Sequence, residues 1–140
     1  MQSRKNQIEY CNELKTKIRE TYNNIGKVFC PILNTEVVFN AKGFHHLLYK
    51  PDGTARDVDE VIYKLKLFPL AIPVIKNALG ISEERSDVEV RVSRKKGSKI
   101  KKGKIYALTS TVGKRKHIDI RVIILKIGNG NFTFLSIMKN

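Results

Sequence analysis

Acidic residues are scarce in the C-terminal part of this sequence. Across residues 91–140 only Asp119 stands against 14 lysines and arginines, whereas residues 1–90 carry 13 basic and 12 acidic groups. The imbalance of +14 therefore belongs almost wholly to the last fifty positions. It argues against carboxylate-based two-metal chemistry there and for an anionic partner, of which nucleic acid is the commonest. Apolar runs are short. None approaches the roughly 18 residues that a membrane helix needs, so no membrane association is expected. The opening MQSRKNQIEY has no apolar centre of a signal peptide, which leads to a cytoplasmic expectation. Cysteine is nearly absent as well. Cys11 and Cys30 sit in apolar patterns without a metal-ligand spacing, and are read as reduced core thiols. P-loop, HExxH and Gly-x-Ser-x-Gly motifs are all missing, and no cofactor or metal is called for.

What is present fits one domain of 140 residues, with 41% hydrophobic and 29% charged positions. Ile8, Cys11, Leu14, Ile18, Tyr22 and Ile25 recur at helical spacing and predict a helix over residues 4–25, stopped by Gly26. KVFCPILNTEVVFN predicts a small hairpin kept at an edge by Pro31. A second helix is expected from Ala41 to Tyr49 with Asn40 as its cap, followed by a Pro51-Asp52-Gly53 turn. A third starts near Asp57, with Asp57 and Glu60 at capping-box spacing, and Pro69 ends or kinks it. A short fourth helix in LAIPVIKNALG runs to Gly80.

From residue 87 the period becomes two. Four strands with short links follow, the last pair joined at Gly128-Asn129-Gly130-Asn131. The expected architecture is α+β, with N-terminal helices packed on a four-stranded antiparallel meander spanning residues 87–138.

Two basic runs dominate the strand region. RVSRKKGSKIKKGK at 91–104 supplies Arg91, Arg94, Lys95, Lys96, Lys99, Lys101 and Lys102, read as a glycine-loosened link that contacts phosphate. Lys114, Arg115 and Lys116 form the second, and Lys42 is a further candidate contact.

Histidine supplies the candidate chemistry. In KGFHHLLYK the apolar Phe44, Leu47 and Leu48 group on one side of a helix, leaving Lys42, His45, His46 and Tyr49 on the other. An imidazole titrates near neutrality and can pass a proton in RNA cleavage, beside a cation for the phosphate and a second proton donor. His117, Asp119 and Arg121 share one strand face, either as an oriented histidine–acid pair or as an ordinary exposed face. Arg121 lies nearest the sheet centre. Tyr63 and Lys64 read as a packed aromatic and a solvated lysine that could join the site.

FNAKGFHHLLYKPDGTAR, LFPLAIPVIKNA and VIILKIGNGNFTFLSIM together resemble a phage-associated nuclease family of the barnase-EndoU-colicin-RelE-like superfamily, over roughly Gly26 to Met138. That resemblance implies a RelE/barnase-like fold, metal-independent endoribonuclease activity and a setting in mobile elements or toxin systems. RNA would be the substrate, with a cognate antitoxin or immunity protein as a further partner. It maps His46 as base or acid, Arg56 as a phosphate clamp, and Ser136 as a donor to a non-bridging oxygen, with His45 as the alternative imidazole. Ser136 shares a strand parity with Phe132 and Phe134, so it is either where the face changes character or a core hydroxyl. An RNA-binding domain of the same fold without catalysis is the other reading.

Overall fold

The computed structural model describes residues 4–94, 97–112 and 118–140, leaving aside the side chains of residues 91–94 and 97–99. Helix α1 (Arg4–Ile25) comes first, then strands β1 (Lys27–Cys30) and β2 (Thr35–Val38), joined by a turn in which Asn34 takes positive φ. Helix α2 (Ala41–Leu48), α3 (Val58–Leu67), a single 3-10 turn at Phe68–Leu70 and α4 (Ala71–Asn77) follow. Strands β3 (Ile81–Arg94), β4 (Gly97–Val112), β5 (Ile118–Ile127) and β6 (Phe132–Lys139) complete the chain.

The α+β expectation holds, but the sheet is larger than a four-stranded meander. It has six strands in the order β1-β2-β6-β5-β4-β3. The early hairpin adds two strands by laying β2 parallel to β6, with Val37 opposite Phe132 and Val38 opposite Thr133. All other pairings are antiparallel. Strand β3 also begins at Ile81, ahead of the expected residue 87, because α4 closes at Asn77 and Gly80 leads straight into the sheet. The described parts of the basic run, 91–94 and 97–104, belong to a paired β3–β4 arm, while residues 95 and 96 lie outside the described residues. The ladder of the arm runs from Val88↔Gly103 to Arg94↔Gly97.

Helices cover one sheet face. Ile120, Val122 and Ile124 of β5 and Leu108 of β4 are fully buried there, with Val74 and Ile75 of α4. Tyr22 of α1 centres a group of rings, with Phe44 at 5.4 Å, Phe68 at 5.2 Å and Phe39 at 5.6 Å. Its hydroxyl donates to the Asn40 carbonyl at 2.5 Å, so the one polar atom of the group is satisfied where the chain enters α2. Cys11 and Cys30 are free and buried. Among the described residues no helix is long and apolar enough to cross a membrane.

Strand β6 has two features that strict alternation does not predict. Ile123 pairs with Ser136 but Ile124 pairs with Phe134, so Leu135 is an extra residue, a β-bulge. The bulge resets the parity. Phe134 and Ile137 both enter the core, and Ser136 turns to the face opposite the helices. Beyond Thr133, β6 also outlasts its pairing with β2. Helix α3 covers that edge: the Ile137 carbonyl accepts from Lys64 Nζ at 2.7 Å and the Lys139 amide donates to the Tyr63 hydroxyl at 3.1 Å. Two side chains stand where a neighbouring strand's backbone would be.

Candidate active site

Helix α2 delivers the imidazole. Asn40 caps it, its side-chain oxygen accepting from the Gly43 amide at 3.3 Å. Gly43 then passes directly over β6. A Cβ at this position would collide with the Phe134 carbonyl oxygen and the Tyr22 hydroxyl, so only glycine lets the helix lie so close to the strand. One turn later His46 sits half-buried over the open face of the sheet. There it lines a cavity of about 340 Å³ with Lys42, Pro51, Val90, Leu125 and Leu135. Val88, Glu89 and Val90 of β3, with Ile105 of β4, form the opposite wall, so this wall is apolar with one acid.

The Pro51-Asp52-Gly53 turn brings the arginine back. Asp52 accepts from the Thr54 amide at 2.9 Å and its hydroxyl at 2.7 Å, and Gly53 takes a φ of +91°. Tyr49 and Ala55 bridge, and the Arg56 amide donates to the Leu48 carbonyl at 3.0 Å. Arg56 Nε consequently donates to the His46 carbonyl at 3.1 Å. Its guanidinium, with the side chain only 11% exposed, also pairs with Glu60. Glu60 thus serves Arg56, not the start of α3, where Asp57 makes no side-chain cap bond. The expected capping box gives way to the stronger charge-assisted pair.

Lys64 departs from its expected place on the surface. It is 7% exposed, not solvated. Its ammonium reaches over the edge of β6 to the Ile137 carbonyl and, at 3.4 Å, to Ser136 Oγ. Burial pulls its pKa down, Arg56 adds to this, and Glu60 opposes it. Lysine's usual preference for the surface hid it. The available signal was its place two turns from Asp57 on the face that carries Val61 and Leu65.

His46 feels all of these cations. Burial, then Lys42, His45, Arg56 and Lys64, lower its pKa from 6.5 to about 4. Burial likewise lowers the pKa of Lys42. At neutral pH the imidazole is therefore uncharged and able to accept a proton, with Lys42, Arg56 and Lys64 near enough to act on its titration. Among the described residues no three His, Cys, Asp or Glu side chains group as metal ligands.

The other candidates lie apart. His45 is exposed, stacks on Tyr49 at 4.3 Å and faces a separate cavity between α1 and α2 with Lys15 and Arg19. Arg121 is on the same sheet face as Ser136 but pairs with Glu83 of β3. Asp119 accepts from Thr111 at 2.6 Å, and His117 lies outside the described residues. Of the expected phosphate contacts, Lys101 is half-buried and Lys102 exposed on the arm. Arg91, Arg94, Lys95, Lys96, Lys99, Lys114, Arg115 and Lys116 fall outside the described side chains.

No protein family matches the chain, and neither a curated protein nor a solved structure matches it.

Proposed function

We propose that this protein is a metal-independent endoribonuclease of the RelE/barnase-like kind, cleaving RNA by transesterification. The observation that carries the reading is the imidazole of His46, which lines a cavity with Lys42 and Glu89 and is kept neutral by burial and by the nearby charges of Lys42, Arg56 and Lys64. In this scheme His46 takes the proton of a 2′-hydroxyl. The 2′-oxygen attacks phosphorus, and the bond from phosphorus to the 5′-oxygen breaks, leaving a 2′,3′-cyclic phosphate. The departing 5′-oxygen takes a proton from the Lys64 ammonium, whose lowered pKa makes it a better acid than an exposed lysine. Arg56 and Ser136 offer donors to the phosphate oxygens as charge builds. A toxin-like setting with an inhibitory protein partner fits such an activity.

Incubation of pure protein with labelled RNA and a chelator tests it. Cleavage to cyclic-phosphate ends, lost by about 10²-fold or more in His46→Ala with RNA binding retained, is the expected result. Binding without cleavage would leave the second reading, an RNA-binding domain. That reading draws on Arg56, whose guanidinium is already committed to Glu60 and the His46 carbonyl.

A further inference from the structure

Where β4, β5 and the start of β6 meet, Lys104 stands opposite Lys126, and Lys126 opposite Phe132. Tyr106 is two positions from Lys104 and so shares its face. That face is the helix-bearing one, since Tyr106 pairs with the core residue Ile124. It is the reverse of the face bearing Ser136. Two like charges directly opposite each other on adjacent strands repel. Among the described residues Asp87 is the only acid lining the cavity of about 280 Å³ that opens here, against Lys102, Lys104 and Lys126. Beside the lysines, Tyr106 and Phe132 form a half-exposed aromatic pair with ring centroids 5.5 Å apart, and the Lys126 ammonium lies 4.9 Å from the Phe132 centroid. Positive charge and ring faces in one recess suit a single-stranded nucleic acid, whose phosphates meet the lysines while a base stacks.

We infer that the Lys104–Lys126 recess, with Tyr106 and Phe132, is a second subsite that binds single-stranded RNA away from the His46 site. Its dependence on the nuclease reading is limited to the identity of the polyanion. The test therefore uses His46→Ala protein, so that a failure of wild-type cleavage would overturn the nuclease and leave this measurement standing. Affinity is measured by fluorescence anisotropy for a labelled oligouridylate about a dozen nucleotides long, across a range of salt.

Lys104→Gln should weaken binding and lower the salt slope by about 0.7. It should also raise the melting temperature, because it removes a repulsive pair. Phe132→Leu should weaken oligouridylate binding about ten-fold while leaving the salt slope unchanged, the mark of stacking without charge. The inference is overturned if Lys104→Gln leaves affinity and slope unaltered. It is equally overturned if polyglutamate competes as well as RNA, which would make the recess a contact for an acidic protein.

Discussion

Lys64 Nζ lies 3.4 Å from Ser136 Oγ while its main bond, at 2.7 Å, goes to the neighbouring Ile137 carbonyl. One ammonium thereby closes the exposed edge of β6 and fixes the position of the candidate hydroxyl.

Lys64→Met should separate those two roles. It keeps much of the apolar stem but leaves the buried Ile137 carbonyl without its donor, a loss of about 1–3 kcal/mol by urea denaturation. RNA cleavage, measured where the variant is still fully folded, should fall by about 10²-fold or more if the ammonium is the proton donor. Retained cleavage in a destabilised Lys64→Met protein would confine Lys64 to the strand edge.

Gly43→Ala tests the crossing of α2 over β6. The added methyl group meets a backbone carbonyl that cannot rotate away, so helix and strand must separate. Overpacking of this kind costs about 1–3 kcal/mol. It should also raise the KM for RNA, since His46 lies one turn further along the same helix. A thermal melt and a kinetic assay together check both effects.

Acid should act on His46 in two ways with one sign. Its pKa falls from 6.5 to about 4 on folding, so between those values the unfolded chain binds more protons than the native one. Stability therefore drops as pH falls through that window, and His46→Gln should flatten this part of the profile. Cleavage that needs the neutral imidazole should likewise decline as pH approaches 4. A bound phosphate analogue offsets the surrounding cations and should move the imidazole titration upward, as read by NMR.

Glu60→Gln tests whether Arg56 is held in reserve. The substitution keeps a hydrogen-bond acceptor and removes the competing charge. Inorganic phosphate should then bind the site more tightly, by calorimetry, with a loss of stability of about 1 kcal/mol or less, as the carboxylate side is more than a third exposed. Weaker phosphate binding would show instead that the pair orients the guanidinium.

The parts of this architecture visible in the sequence are those set by near neighbours. The helix Arg4–Ile25 follows its spacing of Cys11, Ile18 and Tyr22, and the Asn40 cap and Pro51-Asp52-Gly53 turn follow from local chemistry. The parallel contact of Val37 with Phe132 joins segments that say nothing of each other, because short strands fit several partners. The bulge at Leu135 was half legible: Ser136 on the parity of Phe132 and Phe134 signals a conflict, but only the neighbouring strand decides that the face changes there. Lys64 could be named as a residue able to join the site, but its burial is hidden because it depends on the unpaired edge of β6. His46 was legible as a candidate, but the charges that act on its titration come from α2, the turn after it and α3.

The sheet order has a consequence for a polypeptide leaving the ribosome. Strand β6 lies between β2 and β5, so the hairpin formed early has no place in the sheet until the last strand arrives. Such distant pairing is slow to form. Until then Gly43 has no strand to cross, the Lys64 ammonium has no carbonyl to meet, and Ser136 is still unassembled. A chain that stops short of β6 carries the described helices but lacks Leu135 of the His46 cavity, the Ile137 carbonyl that Lys64 meets and the Ser136 hydroxyl beside it.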